Sequence, residues 1–157
     1  MPCHSAMIEN VIEVAPDEPV EKVLSALKKK KSQIAVILSE EGDLIGYLTM
    51  AVLLKNLLPV SLSMQVPGQN QDIVLGAAPG IAKRLRKVKP LPVSDIMERS
   101  FHALAPSTPV WEGVQMLVEH GAPIFVLEEG GERYVGVMTE ASALEELERI
   151  QKDQNTA

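Results

Sequence analysis

Ala15–Val20 reads APDEPV, and ninety residues later Ala105–Val110 reads APSTPV. The offset holds without a gap on both sides: Met7 falls on Met97, Leu27 on Leu117, Ile34 on Ile124, Val36 on Val126, Gly46 on Gly136, Thr49 on Thr139, Ala51 on Ala141, Leu54 on Leu144 and Leu57 on Leu147. About 13 identities over about 50 residues stand against roughly 3 expected from such a composition. Chance is a poor explanation, so the chain is an internal repeat.

Each copy has the same local grammar. A short extended segment ends in Ala-Pro, an amphipathic helix follows, then two strands joined by an acidic turn, then a second helix. In the first copy Val20, Val23, Leu24 and Leu27 recur at helical spacing, and in the second Val110, Val114, Leu117 and Val118 form the matching stripe, so each helix buries one face. Pro109 suits a first helical turn with Thr108 before it as cap, while Asp17 is the capping candidate near Glu18 in the first copy. The strands read as Gln33–Leu38 and Leu44–Thr49, then Ile124–Leu127 and Arg133–Met138, each pair a hairpin closed by Glu41-Gly42-Asp43 or Glu129-Gly130-Gly131. This predicts an α/β (in finer terms α+β) chain of two βαββα repeats. One such unit cannot cover its own sheet and helices, so the two are expected to pack face to face as a pseudo-twofold pair with a ligand cleft between them. The repeats span 1–58 and 93–152, with an inserted linker at 59–92 and a tail at 153–157. The linker is Pro/Gly-rich and then basic, and is expected to be more mobile than either repeat.

The bulk numbers fit this reading. The 157 residues suffice for a substantial core, and an aromatic content of 3% against 46% hydrophobic residues makes that core aliphatic. A net charge of -6 gives no general pull toward nucleic acid or anionic lipid. The single cysteine, Cys3, cannot form an internal disulfide, the first residues show no charged start followed by an apolar stretch, and no apolar run approaches the length of a membrane span. A cytoplasmic protein off the membrane is therefore expected.

SAM at Ser5–Met7, SDIM at Ser94–Met97, VAPDEPV, LAPSTPV, LIGYLT at Leu44–Thr49 and YVGVMT at Tyr134–Thr139 together resemble the CBS domain, in two copies and in register. The resemblance covers nearly everything outside 59–92. It implies an intramolecular CBS pair, a Bateman-type regulatory module that commonly dimerises and often binds AMP, ADP, ATP or S-adenosylmethionine in its cleft, with no cofactor required. Family members that bind adenosine ligands usually carry an aspartate three residues after the Thr, where it accepts bonds from the ribose. Here Val52 and Ser142 stand in those places. Valine accepts nothing and serine offers one uncharged oxygen, and the Pro before the second strand is kept as Pro123 but replaced by Gln33 in the first copy. The second half is thus the better site: adenine edge near Gly121, Ala122 and Pro123, phosphate contact at Thr139, ribose side at Ser142. Thr49 is the weaker first-copy counterpart, and Thr139 and Thr49 serve equally well as plain helix caps.

Other motifs have blander readings. Lys28–Lys31 ends a helix where cations oppose the dipole. Lys83, Arg84, Arg86, Lys87 and Lys89 form a solvated basic face or a docking site for an acidic partner, without aromatics for base stacking. Cys3 sits in an end expected to be mobile. His4, His102 and His120 are scattered, GAAPGIAK lacks the spacing of a phosphate loop, and no zinc or nucleophile pattern occurs, so neither metal nor catalysis is expected. Trp111 is either a core-edge residue or a dimer contact. The expected activity is sensing of a small ligand and modulation of a separate, unidentified protein by a homodimer, the alternative being an interaction module with degenerate pockets.

Overall fold

The computed structural model describes residues 2–8, 11–30, 33–58 and 71–156. In chain order these are a 3-10 turn at Cys3–Ala6, β1 (Ile12–Val14), α1 (Val20–Lys30), β2 (Ala35–Leu38), β3 (Leu44–Leu48), α2 (Met50–Leu57), α3 (Gln71–Val88), a 3-10 turn at Val93–Asp95, β4 (His102–Leu104), α4 (Val110–His120), β5 (Ile124–Leu127), β6 (Tyr134–Met138) and α5 (Glu140–Thr156). Each repeat is βαββα behind a short lead-in. The strands form two three-stranded sheets, β1-β2-β3 and β4-β5-β6. β1 runs parallel to β2 and β4 to β5, while β5 and β6 are antiparallel. A parallel neighbour requires a crossover, which α1 and α4 supply.

The central strands are apolar throughout: Ala35, Val36 and Ile37, and Ile124, Phe125 and Val126, are all fully buried. With both faces covered, inside-outside alternation does not fix their register. The sheets use that freedom, since Ile12 lies opposite Ala35 but His102 lies opposite Ile124, one residue out of step with the repeat.

The sequence repeats are not the compact units. One unit joins 1–11, 38–45 and 99–157; the other joins 12–37 and 46–98. Each lead-in therefore belongs with the other copy's sheet. Cys3 and Ala6 lie in a core with Leu117, Ile124, Val126, Met138 and Ala143, and the Cys3 amide donates to the Thr108 carbonyl (2.7 Å). Cys3 is fully buried, not in a mobile end, because an apolar thiol near the N-terminus completes the second copy's core. In the other unit, the amides of Val20 and Glu21 at the start of α1 donate to the carbonyls of Leu91 and Lys89 (2.9 Å each). Backbone from the far side of the insertion thus satisfies orphan helix donors.

Several local expectations change. α4 begins at Val110 with Pro109 before it, and no side chain caps it, so Thr108 does not serve as cap. Val20, Val23, Leu24 and Leu27 are buried as their spacing predicts, but in the second stripe Val118 is 82% exposed, and Trp111 is exposed too. The stretch at 59–92 contains α3. Its alanines favour helix, its terminal cations oppose the dipole, and Ile81, Leu85 and Val88 line one face, with Val88 buried and the others half-buried. Mobility was expected across 59–92; residues 59–70 of that stretch lie outside the described residues, as does Lys31.

Candidate functional site

In both repeats the site begins where a strand hands over to a helix. Thr49 is extended at the start of α2, and its hydroxyl accepts from the Val52 amide (3.1 Å). At α5 the same contact runs from the Ser142 amide to Thr139 Oγ1 (3.2 Å), and it is returned: the Thr139 amide donates to Ser142 Oγ (2.8 Å), whose own proton goes to the Thr139 carbonyl (3.0 Å). That is a reciprocal capping box. Valine at 52 cannot complete the first.

Each lead-in lies against the hairpin strand that feeds its helix. Tyr47 and Glu98 exchange backbone bonds (3.0 and 2.9 Å), and the Ile8 amide donates to the Val137 carbonyl (2.9 Å). Glycine makes this approach possible. A Cβ on Gly46 would stand 2.6 Å from Met97 Sδ and 2.9 Å from the Glu98 carbonyl oxygen, and one on Gly136 would overlap Met7 Sδ. The repeated Met and Gly of the sequence pattern are thus two halves of one contact.

Between lead-in and helix each unit holds a cleft, and equivalent positions line the two. The first-repeat cleft, about 350 Å³, lies between residues 95–98 and Val52, Lys55 and Asn56 of α2, with Arg84 of α3 at its edge. Asn56 Nδ2 donates to the Val52 carbonyl (2.9 Å) and to the Ile96 carbonyl (3.1 Å), and Arg84 Nε donates to the Asn56 carbonyl (2.8 Å). The second-repeat cleft, about 740 Å³, lies between residues 5–8 and Ser142, Glu145, Glu146, Arg149 and Lys152 of α5. Glu146, at Asn56's position, is only 6% exposed. Its two carboxylate oxygens take Nε and Nη2 of Arg149, which also reaches Asp153. That pairing raises the Arg149 guanidinium above its ordinary range.

Of the sequence-predicted residues, Ser142 lines the second cleft, with Thr139 capping the helix beside it. Gly121, Ala122 and Pro123 do not line it. Gly121 closes α4 at φ +79°, and the Ala122 amide donates to Glu140 (3.3 Å) ahead of a cis peptide bond to Pro123. Thr49 lies outside the lining of the first cleft. Sequence reasoning missed the lead-ins, Asn56, Glu146 and Arg149. The offset does pair Asn56 with Glu146, and an amide exchanged for a carboxylate on equivalent helix faces was the available signal.

Elsewhere, His102 and His120 stack at 3.8 Å, and burial pushes the Cys3 thiol up from its ordinary 9.0. Among the described residues, no three His, Cys, Asp or Glu side chains are placed to hold a metal ion, and no helix is long and apolar enough to cross a membrane.

The family model for the CBS domain matches residues 3–59 and again 93–149. The chain belongs to the CBS domain family. It carries two copies, a CBS pair, and the matched lead-ins are those that the compact units exchange. Among solved structures it is similar to the CBS-pair protein CBSX2 from Arabidopsis thaliana, at 19% identity and TM-score 0.71 over 96% of both chains. It is also similar to a CBS domain-containing protein of unknown function from Bacillus anthracis, at 18% identity and TM-score 0.70 over 95% of this chain and 94% of that one. A CBSX2 structure in complex with AMP matches at 18% identity and TM-score 0.68, over 96% and 98%. These likenesses establish the shared fold. No curated protein matches the chain.

Proposed function

We propose that this CBS pair is a non-catalytic, cytoplasmic regulatory module that senses a small ligand in its second-repeat cleft and passes occupancy to a separate protein. The observation that carries the reading is the asymmetry of the clefts. The second is the larger and presents a hydroxyl, three carboxylates of which Glu146 is buried, and two cations, whereas the first presents Val52 and is cross-braced by Asn56. AMP in the related CBSX2 fold makes adenine nucleotides, with S-adenosylmethionine, the first ligands to test. Ser142 Oγ spends its proton and one lone pair on Thr139, so one acceptor remains for a ribose. Binding is accordingly weak. An aspartate at 142 keeps the capping box and adds charge, so Ser142→Asp should tighten AMP about tenfold or more in calorimetry. Thermal shifts against AMP, ADP, ATP and S-adenosylmethionine test the reading directly, since a ligand bound only by the native state raises its melting temperature. No shift at millimolar ligand rejects it.

Exposed apolar side chains favour a homodimer, whether or not a ligand binds. Leu54 and Leu144, identical and equivalent, are 59% and 58% exposed, Val118 and Leu147 border the same hollow as Leu144, and Trp111 is exposed as well. Such patches mark contacts. Light scattering at micromolar concentration should give twice the chain mass. A dimer without any ligand response would favour the alternative, an interaction module with degenerate pockets.

A further inference from the structure

Lys83, Arg84, Arg86, Lys87 and Lys89 put five of the chain's 15 cations within residues 83–89, in a protein of net charge -6. All five are exposed, and among the described residues none of them pairs with a carboxylate. At 3.6 residues per turn Lys83, Arg86 and Lys87, which stand at i, i+3 and i+4, share one face of α3. That face lies opposite the stripe of Ile81, Leu85 and Val88, which is buried or half-buried. Like charges at these spacings repel, so acids among them would suit the isolated helix better. The helix dipole favours cations in the last turn, where Arg86 and Lys87 lie, but Lys83 precedes it. The lysines that end α1 are arranged otherwise: Lys28, Lys29 and Lys30 are consecutive and fan around the helix end instead of sharing a face.

The face is also held in place. Val88 is buried, the carbonyls of Lys89 and Leu91 just past the helix accept from the amides of Glu21 and Val20 (2.9 Å each), and Arg84 Nε donates to the Asn56 carbonyl (2.8 Å). Since α3 lies between the two family matches, 3–59 and 93–149, the duplicated frame does not call for these cations. We infer that Lys83, Arg86 and Lys87 form a docking face for an acidic helical segment of a separate protein, whose carboxylates one turn apart match the spacing of the cations. The helix contains no aromatic residue on which a base could stack, and 83–87 place no apolar side chain on that face to enter a bilayer. A protein partner is thereby favoured over nucleic acid or lipid. The inference goes beyond the reading of the clefts and does not depend on either one binding a ligand.

Binding of the full chain to a labelled helical peptide with glutamates at i, i+3 and i+4, set beside a DNA duplex and phosphatidylserine vesicles, tests it. The peptide should bind about tenfold more weakly at about 0.5 M salt than at about 0.05 M, because exposed charges are screened. Lys83→Gln combined with Arg86→Gln and Lys87→Gln should weaken the peptide about tenfold or more while the melting temperature changes little. Lys87→Gln alone should weaken it about threefold, and serves if the triple variant folds poorly. Lys28→Gln with Lys29→Gln and Lys30→Gln should leave affinity within about twofold, since those lysines share no face. No peptide binding at low salt, or equal losses in the α1 and α3 variants, overturns the inference. Duplex or vesicles bound as tightly as the peptide overturn it too, assigning the face to nucleic acid or to a membrane. A dimer that becomes a monomer in the triple variant does the same, assigning the face to a second copy of the chain.

Discussion

The first-repeat cleft is braced across by an amide side chain, whereas in the second the equivalent side chain is bonded along its own helix. Asn56 links α2 to its lead-in, and Arg84 of the inserted helix bonds the Asn56 carbonyl. At the equivalent place in the second cleft Glu146 turns to Arg149 on its own helix. The scaffolds are alike: a threonine cap, a methionine over a glycine, a lead-in bonded to a hairpin strand. A duplicated frame can thus hold one braced copy and one copy with a wider cleft, the difference resting on a few side chains inside the frame.

The comparison is broken most severely at the glycines. Gly46→Ala should cost about 2 to 3 kcal/mol, because the new methyl meets the Glu98 carbonyl in a backbone-paired segment as well as Met97. Gly136→Ala should cost about 1 kcal/mol, since only the adaptable Met7 side chain stands in its way. Denaturant midpoints measure both, and equal costs would mean that the lead-ins are not held as described.

Next comes the brace itself. Asn56→Ala leaves the Ile96 carbonyl without its donor and should destabilise by about 1 to 3 kcal/mol. Glu146→Ala frees a half-exposed Arg149 that can turn to water, and should destabilise less than Asn56→Ala. A larger loss at 146 than at 56 would reverse the assignment of braced and open clefts.

Alkaline pH should separate the units as well. Burial, the largest cause, raises the Cys3 thiol above 9.0, so the folded chain holds this proton more tightly than the unfolded one. The associated stability is complete below pH 9 and is lost as pH rises through the raised value, by at most about 1.4 kcal/mol per pH unit. Val93, also fully buried, occupies the equivalent position in the other unit. Cys3→Val should therefore fold normally and lose stability only at the higher pH where Tyr47, raised by burial and by Glu98, titrates. Melting temperatures between pH 8 and 10.5 decide this, and native Cys3 should resist alkylation.

The smallest effect concerns the caps. Val52→Ser would complete the first capping box on the model of Ser142, and should gain about 0.5 kcal/mol. Val52→Asp should act in the same direction. Position 52 is half-buried at the edge of a cleft, three residues into α2, so an aspartate there would cap the helix instead of burying a lone charge. Loss of stability in either variant would mean that the Thr49 amide is satisfied some other way.

The sequence by itself determined the duplication, the βαββα order, the aliphatic core and the glycine-threonine strand ends, because periodicity, turn chemistry and caps act between residues close in the chain. It also placed Ser142 and Val52 where the two sites differ. Tertiary structure alone decided which lead-in serves which sheet, since the exchange of 1–11 and 93–98 between copies leaves the local pattern unchanged. The burial of Cys3, the helix inside the insertion and its Arg84 contact were equally invisible, as each depends on what chain returns from far away to cover it. So were the Asn56 brace and its loss at Glu146: an amide on a helix surface acquires meaning only when a carbonyl forty residues away is brought within hydrogen-bond distance.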